Sequence, residues 1–172
     1  MQIRHATRSD LEHLAGIEAA ADTLYAERFG ETGWGRPRPG LERSAAPGFV
    51  LVAADREGAP YGFVHVLDLD GRAHLEQLSV VPERQRRGIG SALVSSAAVE
   101  AATRGHHELT LLTYLDVPWN APFYARLGFT AVVPRTQLER ELVRIEQRLG
   151  LDRHGERTLM VARVTPEGVT SE

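Results

Sequence analysis

No lysine and no cysteine occur among the 172 residues, so all twenty basic positions are arginines. The missing lysine removes Schiff-base chemistry, a lysine general base and the phosphate-binding lysine of a Walker loop. The missing cysteine removes thiolate nucleophiles, disulfides and thiolate-bound zinc. Chemistry must therefore come from His, Asp, Glu, Ser, Thr, Tyr and the backbone. Long hydrophobic runs are missing too: the longest uncharged apolar stretch, 89–99, is too short and too broken by serine to span a bilayer. The first ten residues contain no apolar signal segment, so a cytoplasmic protein with no membrane partner is expected. Nor is there a large excess of one charge. A net charge of −3, with the arginines spread along the chain, argues against nucleic acid as a partner.

What is present is enough apolar material, 42 % of residues, for a chain of this length to bury a core without staples. The opening residues read as a short strand. Thr7-Arg8-Ser9-Asp10 then starts a helix that carries Leu11, Leu14 and Ile17 at helical spacing and runs to near Phe29. Gly30, Gly33, Gly35, Pro37 and Pro39 mark a loop, followed by a short helix over 41–45. Apolar strands follow at 49–54, 61–67 and 74–81, with turns at Glu57-Gly58 and Asp70-Gly71. At Gly88 the period becomes helical, with Leu93, Ala97 and Ala101 on one face, and it ends by Gly105. A strand at 109–114 leads to a short helix that Asn120 caps, with Pro122 in its first turn and Gly128 past its end. A strand at 129–133, an amphipathic helix at 137–149 and a strand at 158–164 follow, and 165–172 reads as a frayed tail. With no repeat and no linker, residues 1–172 are expected to form a single α/β domain with a mixed sheet.

The run Gln85-Arg86-Arg87-Gly88-Ile89-Gly90-Ser91 joins a strand to a helix. Glycines let the backbone approach a ligand, and a helix start offers free N–H groups, which suits phosphate. A Walker loop is excluded by the absent lysine. A dinucleotide fingerprint is excluded because Leu93 stands where the third glycine belongs and no βαβ unit precedes it. A plain two-glycine turn is the bland alternative.

Taken with the strand before it, Leu78-Ser79-Val80-Val81-Pro82 and then Gln85 to Ser91 resembles the acetyl-CoA signature of the GNAT superfamily of N-acetyltransferases. The segment from Asn120 through Phe123-Tyr124 to Gly128-Phe129 is similar to that family's second motif, and the element order agrees over residues 3–133. The resemblance implies a GNAT-type domain whose central mixed, mostly antiparallel sheet, flanked by helices, splays between the fourth and fifth strands. It implies an acetyl-CoA-dependent N-acetyltransferase, with acetyl-CoA as co-substrate and a small-molecule or peptide amine as acceptor, attacked directly in a ternary complex. The other reading is a non-catalytic acyl-CoA-binding or sensor domain on the same fold.

Acyl transfer from a thioester needs a neutral amine, a stabilised oxyanion and a protonated leaving thiolate. By the resemblance, backbone groups of Leu78 and Val80, with Ser79 between them, meet the pantetheine arm and the acetyl carbonyl, the Leu78 N–H serving as oxyanion donor. The amides from Gln85 through Gly88, Ile89, Gly90 and Ser91 cradle the pyrophosphate. Arg86 and Arg87 add charge there or are simply solvated. Tyr124 donates the proton to the thiolate, or only packs with its aromatic neighbours. Asn120 is a helix cap, a coenzyme contact, or both. Glu76 is read as the base and a substrate contact, on the assumption that alternation puts it on the face of Leu78 and Val80; His74 or water are the alternatives. Tyr25, Phe29 and Trp34 are the candidate acceptor-binding aromatics, with Trp119 a further candidate. The adjacent His106 and His107 point to opposite strand faces, so no metal is expected. One departure from the family stands out. Where it joins its last two strands by a hairpin, this chain inserts the 137–149 helix, whose apolar stripe must bury against something: the acceptor cleft as a lid, or a second copy in a homodimer.

Overall fold

Asp70 and Gly71 both take left-handed backbone, with φ of 51° and 78°, and so fold strand β3 (Pro60–Leu69) back on β4 (Arg72–Val80) as a tight hairpin. The computed structural model describes residues 1–170, whose strands form one sheet. β1 (Gln2–His5), β2 (Gly48–Ala54), β3 and β4 make an antiparallel meander. Helix α4 (Ile89–Thr103) then crosses over, and β5 (Glu108–Tyr114) runs parallel to β4. β7 (Arg157–Thr165) pairs antiparallel with β5, and takes β6 (Thr130–Val132) and β8 (Gly168–Thr170) as further neighbours. The expected frayed tail is therefore ordered as far as β8, because the chain turns back on β7; Ser171 and Glu172 lie outside the described residues.

Two faces carry two cores. On one, α4 presents Leu93, Val94, Ala97, Ala98 and Ala101, all fully buried, to a cluster that includes Val64, Val66, Leu75 and Leu111. On the other, α1 (Arg8–Ala21) sets Leu11, Leu14 and Ile17 on Val50, Val52 and Phe63. At the expected helix start, Thr7 and Asp10 form a capping box, and Asp10 also pairs with Arg4. The expected single helix to Phe29 is corrected: it divides at Asp22 into α1 and α2 (Thr23–Phe29). The Thr23 hydroxyl donates to the Ala20 carbonyl at 2.7 Å, a local bond that competes with continued helix. Helix α3 (Gly40–Ala45) packs so closely on α1 that a Cβ at Gly40 would lie 2.1 Å from the Leu11 carbonyl oxygen.

β4 and β5 pair at three positions only, Ala73 with Leu109, His74 with Thr110 and Leu75 with Leu111. Beyond Leu75 they diverge, which is the expected splay between the fourth and fifth strands. The divergence begins at a bulge. His65 pairs with Gln77 and Val66 with Leu75, so Glu76 is an extra residue in β4. The extra residue reverses the alternation. Leu75, Leu78 and Val80 share the α4 face, while Glu76 joins His65 on the side of α1 and α3. The expectation that Glu76 shares a face with Leu78 and Val80 is corrected by that one inserted position.

Helix α5 (Ala121–Ala125) lies between β5 and β6, and α6 (Gln137–Arg148) lies between β6 and β7. The stripe of α6 was expected to bury against the cleft or a second copy; within this chain no residue of α6 is buried, and the adjacent Leu149 is 66 % exposed. It is tethered instead by an ion pair from Glu146 to Arg157 of β7. No helix among the described residues is long and apolar enough to cross a membrane.

Candidate active site

The divergence of β4 from β5 opens a cleft of about 90 Å³, walled by residues 77–80 of β4 and Gln85 on one side and by Asp22, Tyr25, Trp119, Asn120 and Tyr124 on the other. The sheet register shows what the backbone offers there. The Val81 N–H donates to the Tyr61 carbonyl at 3.0 Å. Ser79 and Gln77 then fall in hydrogen-bonded pairs with Phe63 and His65. Leu78 and Val80 fall in the alternate positions, so their N–H and C=O groups turn away from β3, into the gap that β5 has vacated. Gln85 Nε2 donates to the Val80 carbonyl there at 2.8 Å. The Leu78 N–H has no partner among the described residues and points where a carbonyl oxygen can be received.

At the mouth of this gap α4 begins. Gly88 takes φ of 78° as the residue before the helix, and Arg86, a non-glycine residue, is held at φ of 55°. A left-handed arginine is uncommon and strained, which is characteristic of ligand-binding turns. No side chain caps α4, and the first amide with a helical partner is that of Ala92, bonded to the Gly88 carbonyl at 2.9 Å. The amides of Ile89, Gly90 and Ser91 therefore stand free at the positive end of a fifteen-residue helix, a setting that fits a pyrophosphate. Arg86 and Arg87 are exposed beside them.

Tyr124 is 8 % exposed, with its ring against Phe123 and Phe129, and it lines the cleft. Burial pushes its phenol well above the ordinary value, so it is protonated at neutral pH. Its hydroxyl makes no hydrogen bond among the described residues. Packing and chemistry are thus served by different parts of one side chain. Asn120 does not cap α5, which corrects the cap reading. Its Oδ1 accepts from Thr113 Oγ1 at 2.5 Å, and its Nδ2 donates to the Tyr25 hydroxyl at 2.8 Å. Buried beside two hydroxyls, the amide finds its partners on β5 and α2 rather than along its own helix.

Glu76 does not line the cleft. Its carboxylate is bound by the buried Arg43 at 2.6 Å and by His65 Nδ1 at 2.9 Å, with Arg38 at 3.9 Å. Burial opposes ionisation, but the His65 hydrogen bond and the charges of Arg43 and Arg38 prevail and hold Glu76 below the usual carboxylate value. Arg43 also pairs with Glu18. Glu18 is pushed up to about 7 by burial, against Arg43 and with help from Asp22 and Glu76. His74 lies in the paired part of the sheet, bonded to Thr110 Oγ1 at 2.9 Å, and burial lowers it to about 4, so it is neutral.

Of the three aromatics expected at the acceptor side, Tyr25 lines the cleft, while Phe29 and Trp34 stand behind it. They form a cluster with Tyr114 and with His154, which follows α6; His154 stacks on Phe29 and its Nε2 lies 2.9 Å from the Thr32 carbonyl. The insertion thus supports the wall of the cleft through its last turn rather than lidding it with the helix. Arg43, His65 and Asp22 were missed in the sequence. Only Asp22 had a local signal, an Asp-Thr pair interrupting a helical run. A larger concavity of about 690 Å³ lies at the other end of β4 and β5, by Arg72 and His106, and contains none of these groups. No cluster of three or more metal-ligating side chains occurs among the described residues.

A family model described as an acetyltransferase (GNAT) domain matches residues 46–131, half of the chain. The chain is 36 % identical over 95 residues to a mycothiol acetyltransferase of Clavibacter sepedonicus, a match covering 55 % of this chain and 31 % of that protein. It therefore spans about a third of the length of the curated relatives it matches. Among solved structures, the fold resembles that of PaiA N-acetyltransferase from Thermoplasma acidophilum in complex with coenzyme A, with a TM-score of 0.69 and 20 % identity over 94 % of this chain and 98 % of that one. It also resembles N-acetylglutamate synthase from Neisseria gonorrhoeae complexed with coenzyme A and N-acetyl-glutamate, with a TM-score of 0.70 and 19 % identity over 95 % of this chain and 35 % of that one.

Proposed function

The chain belongs to the GNAT acetyltransferase family, and from that premise we propose that it transfers the acetyl group of acetyl-CoA to a primary amine of a small molecule or peptide, by direct attack in a ternary complex. The observation that carries this is the pairing of groups across the cleft: an unpartnered Leu78 N–H on one side and the unpartnered, protonated Tyr124 hydroxyl on the other. A site that only bound the coenzyme has no use for a proton donor at that place. Acetyl-CoA supplies the thioester carbon to be attacked. The free amides of Ile89, Gly90 and Ser91 hold its pyrophosphate, with Arg86 and Arg87 at the rim. The Leu78 N–H receives the charge that develops on the acetyl oxygen, a contribution typically worth ~10²–10³ in rate. Tyr124 gives its proton to the departing sulfur. Asn120 fixes Tyr25 beside it in the cleft wall.

The acceptor is not carried over from the relatives, because Asp22, Tyr25, Phe29 and Trp34 all precede residue 46, where the family match begins. Thiol release from acetyl-CoA across a panel of primary amines tests the proposal, with Tyr124→Phe beside the wild type. The variant is expected to bind coenzyme A normally and to lose ~10²–10⁴ in kcat. Tight coenzyme binding with no amine turned over above hydrolysis would instead identify a binding domain.

A further inference from the structure

The reading above leaves the proton of the incoming amine without an acceptor. An alkylammonium cannot attack until it has lost one proton. Three titratable side chains line the cleft: Tyr25, Tyr124 and Asp22. Burial raises both phenols, and Tyr25 is bonded to Asn120 as well. Glu76 is consumed by Arg43 and His65, and Glu18 by Arg43. Asp22 differs from all of these. It occupies the break between α1 and α2, in the N-cap position of α2, yet its side chain makes no cap hydrogen bond. Its carboxylate has no hydrogen bond and no ion pair among the described residues, and it is the only carboxylate in the cleft wall.

We propose that Asp22 is the catalytic base of this site, and that the acceptor is a protonated primary amine which its carboxylate binds beside Tyr25 and Trp119 and then deprotonates. The inference rests on the acetyl-transfer reading of the same cleft and deepens it. The charged and titratable groups around Asp22 are Glu18 from α1, Tyr25 from α2, Arg43 from α3 and Tyr124 from α5, with Glu76 of β4 and the more exposed Arg38 beyond Arg43. Burial pushes Asp22 up to about 6, against the opposing charge of Arg43. It is therefore ionised at neutral pH while remaining basic enough to take a proton in a bound complex. The aromatic rings of Tyr25 and Trp119 suit a cation at the same point.

The step balances without a further reagent. The ammonium R–NH₃⁺ gives one proton to the Asp22 carboxylate and becomes R–NH₂. The nitrogen lone pair forms the bond to the acetyl carbon, and the C–S bond breaks with its electrons on sulfur. Tyr124 protonates that sulfur. The second proton leaving nitrogen passes to water and restores Tyr124 through solvent, and Asp22 returns its proton to solvent, so one net proton is released per acetyl group.

The test is the pH profile of kcat/KM for the best amine of the panel, measured by thiol release with wild type, Asp22→Asn and Glu76→Gln, and with coenzyme A affinity by calorimetry as the check on folding. In the wild type an acid limb near pH 6 is expected, with the basic limb set by the amine itself. In Asp22→Asn, kcat/KM should fall ~10²–10⁴-fold, the limb near 6 should vanish, and the rate should climb toward the pKa of the free amine while coenzyme affinity holds. Glu76→Gln should keep the acid limb. An Asp22→Asn enzyme with the wild-type rate and profile overturns the assignment and leaves acetyl transfer intact. If Asp22→Asn loses coenzyme affinity, Asp22→Glu must keep the limb, displaced in pH, or the assignment fails. A wild type that turns over no amine at all overturns the transfer reading itself.

Discussion

Arg43 is 2 % exposed and holds two carboxylates, Glu18 and Glu76, that come from elements 25 and 33 positions away. Nothing about Arg43 in the sequence separates it from nineteen other arginines, because its meaning lies in partners that only the fold supplies. Replacing it leaves the buried Glu18 without its cation and leaves Glu76 to His65 and Arg38. Arg43→Met should therefore cost about 3–5 kcal/mol by chemical denaturation at pH 7.5. The pH dependence has a definite sign. In the variant, Glu18 keeps a folded pKa above its unfolded one, so the folded state binds more protons there. Glu18, already at about 7 with Arg43 present, goes higher without it. The deficit relative to the wild type should therefore grow as pH rises above about 7 and be smaller and level below it. A deficit independent of pH would mean that Arg43 acts by packing alone. Tyr124 is the opposite case at this scale. Its motif position made it visible in the sequence, and the side chain lines the cleft.

Among the elements, α3 shows how close packing positions chemistry. Helices α1 and α3 meet at Gly40, and the contact leaves no room for a Cβ against the Leu11 carbonyl. Since α3 carries Arg43, this glycine sets the depth at which the guanidinium reaches Glu76. Gly40→Ala should destabilise the protein by about 1–3 kcal/mol in denaturant, and it should raise the KM for the amine more than that for acetyl-CoA. Equal changes in both would sever the link from Gly40 to the acceptor side. The strands and the longer helices were legible from period, turn residues and helix starts, among them Asp70-Gly71 and Thr7 to Asp10. The division at Asp22 was not, since one helical stripe continues through it and only the Thr23 side chain bends the chain. The bulge at Glu76 was not legible either. One extra residue changes the face of every side chain after it, and no residue type announces it.

At the scale of the whole molecule, the sheet is two antiparallel halves joined by three parallel pairs and by α4. A ligand in the gap must touch both halves, so coenzyme A should stabilise the protein as a strut. At a hundredfold excess over Kd, binding is worth ~2.7 kcal/mol, or ~5–10 °C in Tm for a chain of this size. Amide hydrogen exchange gives the sharper check. Protection should appear at Leu78, Ile89, Gly90 and Ser91 when coenzyme A is added, and should change little at His74 and Leu75, where β4 and β5 already pair. Protection confined to the 690 Å³ concavity at the other end of the strands would relocate the site.

By itself the sequence determined the catalogue of available chemistry and the order of elements. The absence of lysine and cysteine, the glycine turn after an apolar strand and the segment from Asn120 to Phe129 are local facts, readable because each depends on residues adjacent in the chain. They were enough to point to a coenzyme side, where free backbone amides of consecutive residues stand at the start of α4. The acceptor side was decided only by the tertiary structure. There a bulge turns Glu76 away from the cleft, Arg43 arrives from α3 to bind it, and a break between two helices leaves the Asp22 carboxylate free in the opening. Those outcomes depend on side chains brought together from distant parts of the chain, and on which partners burial leaves for each charge. The missing lysine takes on its final meaning there: the buried cation among these carboxylates is an arginine, a fixed charge that holds two of them and leaves the third to the substrate.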